Sequence, residues 1–157
     1  MKYLVLVLLI AISLGPSLFI ARLQAGAIKE WYPSLKKPRW NPPNWIFGPV
    51  WTVLYLSMAI AMWLVWQEAP GNRLAWQLFG AQLLLNHSWS PVFFVWRRLG
   101  AALVILTGLW LAVLATTVCF FTVSIPAGQL MLPYLAWVSF AGLLNFRIWR
   151  DNPQERS

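Results

Sequence analysis

Acidic residues are scarce in this 157-residue chain, which has only Glu30, Glu68, Asp151 and Glu155. None of them interrupts a long apolar run, so no carboxylate pair is placed to act inside a membrane as a proton relay, a general acid/base couple or a cation site. Histidine and cysteine occur once each, as His87 and Cys119. An internal disulfide and a Cys/His metal cluster are thereby excluded. His87 reads as an interhelical hydrogen-bonding residue and Cys119 as a small apolar one. Ser90 has no evident base partner for nucleophilic catalysis, and no glycine-rich phosphate loop is present. Hydrolase and pump chemistry have little support, and the sequence favours a role other than catalysis.

What the chain has in abundance is apolar surface: 60% of residues are hydrophobic and 10% charged. A soluble domain is closer to a quarter charged, so the solvent for this one is lipid. Five segments are long enough to cross the roughly 30 Å hydrocarbon layer. They run over residues 4–21, 46–67, 74–96, 99–123 and 130–149. Backbone groups find no water partners there, so each span is expected to be helical, and no alternating pattern of short barrel strands is seen. No internal repeat appears. The expected architecture is a single all-α membrane domain over residues 1–157, a bundle of five transmembrane helices. Its longest connection, residues 22–45, is rich in proline and aromatic residues and reads as an ordered lid.

The net charge is +8, with 12 Lys and Arg. These lie in short stretches between apolar runs and form no basic stripe along a helix, which argues against nucleic acid. With five spans, Arg22, Lys29, Lys36, Lys37 and Arg39 share a side with Arg97 and Arg98, and with Arg147, Arg150 and Arg156. Only Lys2 and Arg73 fall opposite. The asymmetry predicts an N-terminus outside and a C-terminus in the cytoplasm. Reading residues 4–14 as a cleaved signal peptide would reverse it, and is disfavoured for that reason.

Tryptophan, with 12 copies, is the other excess. Trp31, Trp40, Trp45, Trp66, Trp96 and Trp149 fall in loops or near helix ends, where interfacial anchoring accounts for them. Trp51 and Trp137 lie too deep for that. On the second helix Trp51, Tyr55, Met58 and Met62 share one face; on the third Asn86, Ser90 and Phe93 do, flanked by Trp89; on the fifth Tyr134, Trp137, Ala141 and Asn145 do. Pro49 and Pro133 fall in expected first turns. Pro16 and Pro91 are expected to interrupt their helices, and Pro91 to bend the third one beside Asn86 and Ser90. The expectation is a pocket of indole and phenyl rings beneath the first loop, with Asn86 and Asn145 as polar groups, suited to a flat and largely apolar ligand.

Three stretches carry a resemblance. Lys37-Pro38-Arg39-Trp40-Asn41-Pro42-Pro43-Asn44-Trp45-Ile46-Phe47 continues to Trp51 and Leu54-Tyr55. Asn86-His87-Ser88-Trp89-Ser90-Pro91-Val92-Phe93-Phe94 and Pro133-Tyr134, with Trp137, Phe140-Ala141 and Leu144-Asn145, complete the pattern. Over nearly its whole length the chain resembles the translocator protein family, also called tryptophan-rich sensory proteins or peripheral-type benzodiazepine receptors. The resemblance implies a five-helix fold that binds tetrapyrroles such as protoporphyrin IX, and isoquinoline or benzodiazepine ligands, under the first loop. It implies ring contacts from Trp51 and Trp137, a polar contact from Asn86, lid contacts from Tyr32 and Pro42, and a wall of Ala141 and Leu144. It also implies a homodimer, with no obligatory cofactor and porphyrin as ligand. Eukaryotic members bind cholesterol through a tyrosine placed before a basic residue; Leu144-Asn145-Phe146-Arg147-Ile148-Trp149-Arg150 lacks the tyrosine, which argues against sterol recognition, while the short tail and the absence of a transit peptide fit a bacterial member. Porphyrin sensing, buffering and transport all fit. Light- or oxygen-dependent porphyrin breakdown by the pocket indoles is the enzymatic alternative, and a scaffold acting through protein partners is a third.

Overall fold

The computed structural model describes residues 1–155. Arg156, one of the ten basic residues grouped above, lies outside them. The described residues form five helices: α1 (Lys2–Glu30), α2 (Asn44–Glu68), α3 (Arg73–Phe94), α4 (Leu99–Val123) and α5 (Ile125–Asp151). Short 3-10 turns cover Tyr32–Ser34 and Pro153–Glu155, and the described residues contain no strand. α1, α2, α4 and α5 are each long and apolar enough to cross a bilayer. α3 has 22 residues, or about 33 Å of helix, but Gln77, Gln82, Asn86 and His87 dilute its apolar character. Gln82 and Asn86 are buried against its neighbours, and much of its other surface is apolar.

Two helix boundaries differ from the sequence expectation for one reason. α1 continues past Ala21 to Glu30, so the first connection is residues 31–43 rather than 22–45. Residues 22–30 include Arg22, Leu23, Gln24, Ala25, Ala27 and Lys29, all good helix formers. Hydropathy marks where lipid ends, and the helix extends beyond it. α5 likewise begins at Ile125, ahead of the expected residue 130, with Pro126 in its first turn. Pro133 is therefore interior to α5, and Pro49 lies five residues into α2. Pro16 lies inside α1 without ending it. Pro91 likewise leaves α3 intact to Phe94. There the chain turns out through Arg97, which has a φ of 54°, while the Arg98 N–H donates back to the Val92 carbonyl at 3.0 Å. Such a left-handed exit satisfies carbonyls that a helix end would leave open.

The helices pack in a ring in the order α1, α2, α5, α4, α3, with α3 returning to α1. α4 and α5 share the longest seam. Gly128 makes the start of that seam possible, since a Cβ there would sit 2.3 Å from the Phe121 ring. α1 is peripheral, and Leu4, Val7, Leu8, Ile12, Phe19 and Leu23 point outward. In water that strip would be untenable; toward acyl chains it is the expected surface.

The first loop is anchored at the basic end of the bundle. Trp31, Tyr32 and Leu35 are buried together with Phe93, Leu144 and Ile148. Asn152, fully buried just after α5, accepts from the Lys36 N–H at 2.9 Å and donates to the Lys36 carbonyl at 2.9 Å, and it also donates to the Ile148 carbonyl at 2.7 Å. Arg97 lies 5.6 Å over the Trp31 ring. The first loop, the α3–α4 connection and the C-terminal segment therefore share one end of the molecule, as the charge count requires. Asn152→Ala removes three hydrogen bonds, worth about 2–3 kcal/mol together. It is expected to lower the thermal midpoint in detergent and to raise hydrogen exchange across residues 35–41, while exchange in α4 stays unchanged.

Candidate functional site

Beneath the loop lies a cavity of about 280 Å³, enclosed by α1, α2, α3, α5 and Tyr32. Ten of the twelve candidate residues line it. α2 contributes Trp51 and Tyr55; α3 contributes Asn86, Trp89, Ser90 and Phe93; α5 contributes Ala141, Leu144 and Asn145; Tyr32 closes the top. The aromatic groups interlock. The Trp51 ring lies 5.8 Å from Tyr55 and 6.3 Å from Trp89, and Tyr32 meets Phe93 and Phe94 edge-on at 6.2 and 5.5 Å. Pro42 and Trp137 do not line this cavity. Trp137 stands behind Trp51, 6.5 Å away and perpendicular to it, and faces a separate groove between α2 and α5. Its indole N–H is buried without a hydrogen-bond partner.

The same helical periodicity adds a wall from α1 that hydropathy alone does not reveal. Ser17, Ala21, Gln24 and Ile28 line the cavity at i, i+4, i+7 and i+11. That stripe becomes visible only once residues 22–30 are read as helix. Phe47 and His87 complete the wall. His87 has the interhelical role expected of it: Nε2 lies 3.1 Å from the Ser13 carbonyl of α1, and its ring stacks on Tyr55 at 5.5 Å.

Asn86 serves the bundle as well as the cavity. Its Oδ1 accepts from the Tyr55 hydroxyl at 2.5 Å and its Nδ2 donates to the Tyr134 hydroxyl at 2.7 Å. Tyr134 donates in turn to Gln82 Oε1 at 2.8 Å, and Gln82 Nε2 lies 3.6 Å from the Met58 sulfur. The chain runs in one donor direction and ties α2, α3 and α5 together. Asn145 is similarly committed, accepting from the Trp89 indole at 3.1 Å and donating to the Leu99 carbonyl at 3.2 Å.

Among the described residues, no lysine, arginine or carboxylate lines the cavity. The Lys37 ammonium is held by the loop, donating to the Tyr32 and Leu35 carbonyls at 2.6 and 2.9 Å and lying 4.8 Å over the Tyr32 ring. Partial burial lowers its pKa. Burial pushes the Tyr32 phenol up to about 12, against the opposing effect of its hydrogen bond to Asn41 Oδ1 at 2.9 Å. The described residues contain no cluster of three or more His, Cys, Asp or Glu able to hold a metal. The arrangement can hold a flat apolar ring system; it offers no acid, base or nucleophile in a reactive pairing.

An integral membrane bundle with an aromatic, uncharged cavity under an anchored loop defines the class of protein. The comparison with known families narrows it, since residues 4–150 match the model of the TspO/MBR family, and the chain belongs to that family. It is 44% identical over 147 residues to a human translocator protein, covering 89% of this chain and 87% of that protein. It is 43% identical over 129 residues to protein CrtK of Rhodobacter capsulatus, covering 80% and 81%. Over 124 residues it is 45% identical to the tryptophan-rich sensory protein of Cereibacter sphaeroides, covering 78% and 77%.

Two outcomes follow from this geometry. Tyr134→Phe strands Asn86 Nδ2 and Gln82 Oε1 in the core and is expected to cost about 1–3 kcal/mol, read as a lower thermal midpoint of tryptophan fluorescence. Tyr32 is raised above its unfolded value of about 10, so its contribution is intact below pH 10 and is lost as pH rises toward 12, where only the unfolded chain has released the proton. Protease cleavage within residues 31–43 should therefore accelerate between pH 10 and 12, and Tyr32→Phe should flatten that rise.

Proposed function

We propose that this chain binds tetrapyrroles of the protoporphyrin IX type, and isoquinoline or benzodiazepine compounds of similar flatness, in the cavity under the first loop, and that it works in porphyrin sensing, buffering or transport. The observation that carries the reading is the cavity itself: an uncharged wall, with Trp51, Trp89, Tyr55 and Phe93 offering ring faces and edges. At about 280 Å³ it is close to the lower bound of small-molecule sites, roughly 300 Å³. A macrocycle therefore enters edge-first or displaces Tyr32, leaving its propionates toward the loop end, where Lys29, Lys36 and Arg39 are exposed. The names of the relatives, translocator and sensory protein, fit such a role. The ten-to-two distribution of Lys and Arg supports a cytoplasmic loop end with the N-terminus outside, in a bacterial membrane; reporter fusions at the two ends test this. A homodimer, the partner implied by the resemblance, is part of the same proposal.

Titration of the purified protein with protoporphyrin IX is expected to quench tryptophan fluorescence saturably. Trp51→Ala, which removes a ring from the cavity wall, should weaken binding by about tenfold or more, and Trp137→Ala by less, because that ring stands behind Trp51. Unchanged affinity in Trp51→Ala and Asn86→Ala together sinks the site.

A second reading, porphyrin breakdown under light, draws support from the adjacency of three oxidisable indoles, Trp89, Trp51 and Trp137, at 6.3 and 6.5 Å. Illumination of the complex should then yield one defined product that Trp51→Phe abolishes; indiscriminate bleaching removes this reading and leaves the binding role intact.

A further inference from the structure

Hydrogen-bond donors along the cavity wall are almost all engaged within the protein. The hydroxyls of Ser17, Thr52, Tyr32 and Tyr55 each donate to a protein oxygen, as do the Trp89 indole and the Asn86 and Asn145 amides. His87 Nε2 faces the Ser13 carbonyl. Three lining groups have a donor that is reachable and has no acceptor among the described residues: the Asn44 amide at the exposed start of α2, the Trp51 indole, and the Gln24 amide nitrogen.

Of these, Gln24 is the one held in place by a second side chain. It lies six residues before the end of α1, roughly 9 Å below the helix terminus. The Ser90 hydroxyl of α3 donates to its Oε1. An amide whose oxygen is fixed toward α3 has its nitrogen turned the other way, and that nitrogen is not among the enclosed polar atoms. Among the described residues nothing accepts from that nitrogen, which leaves it for an acceptor that enters the cavity.

Resting on the ligand-binding reading above, the geometry points to Gln24 as the polar recognition element of the cavity, its Nε2 donating to a carbonyl or carboxylate oxygen on an otherwise flat, apolar ligand, with Ser90 as the positioning residue. A selectivity follows. Because the described lining carries no cationic side chain, an uncharged carbonyl satisfies Gln24 without a counter-charge, and a ring system without oxygen acceptors leaves the donor open. The cavity thus selects for an oxygen acceptor at one point.

Three macrocycles of similar shape separate these properties: protoporphyrin IX, its dimethyl ester, and etioporphyrin, which carries alkyl groups only. The wild-type protein in detergent should bind the two oxygen-bearing probes about three- to tenfold more tightly than etioporphyrin. Gln24→Met, of nearly equal length but without the donor, should erase that preference while keeping the etioporphyrin affinity. Gln24→Glu, which presents an acceptor in its place, should invert it. Ser90→Ala should give an intermediate preference, because the amide is then free to turn. A wild-type preference surviving in Gln24→Met and Gln24→Glu overturns the assignment, as does loss of etioporphyrin binding in both, which would make Gln24 a packing residue. Equal wild-type binding of all three probes leaves the pocket reading standing and removes Gln24 from it; saturable binding of none removes the pocket reading itself.

Discussion

Inside a bilayer a polar side chain has no water to fall back on, and that constraint organises this bundle. Gln82 and Asn86 are buried in the middle of α3, and each is costly unless its donors and acceptors meet others. They meet them on two different helices, through Tyr55 of α2 and Tyr134 of α5. Apolar packing against lipid is only weakly directional, because acyl chains are as apolar as leucine. The polar chain supplies what packing lacks, a fixed relation between three helices. The cavity is bounded by those same three helices together with α1.

The same requirement shapes the cavity wall. Residues that look on paper like ligand contacts, Asn86 and Asn145 above all, spend their hydrogen bonds on neighbouring helices. What they leave is a rigid, aromatic and electrically neutral enclosure. In the binding role proposed above, selectivity rests on shape and ring contact, modulated by the few donors that the framework does not consume. Most cationic groups are kept at the loop end, where Lys37 binds loop carbonyls.

Much of this was legible in the sequence, for reasons particular residues make plain. The apolar runs located all five helices, and α4 matches the expected residues 99–123 because lipid and helix end together at Arg98 and Ser124. The stripes on α2, α3 and α5 were readable from spacing alone, since Trp51 and Tyr55, or Ala141 and Asn145, are one helical turn apart. The α1 wall was hidden. Residues 22–30 are too polar for lipid yet continue the helix, so hydropathy alone places Gln24 and Ile28 in a loop. Trp137 shows another limit: periodicity places it on the correct face of α5, but only the packing angle decides that its ring falls behind Trp51. Nor does any local signal pair Asn152 with Lys36, which are 116 residues apart.

That last pairing has a consequence for how the protein comes into being. The loop that roofs the cavity is synthesised early, whereas the side chain that clasps it lies beyond the end of the last helix. During membrane insertion α1 and α2 enter with their connection still unclasped, and it stays so until α5 has been threaded and its end has emerged. A nascent chain halted anywhere before Asn152 lacks the clasp even when four helices are in place. The roof is therefore completed only after α5 has been made.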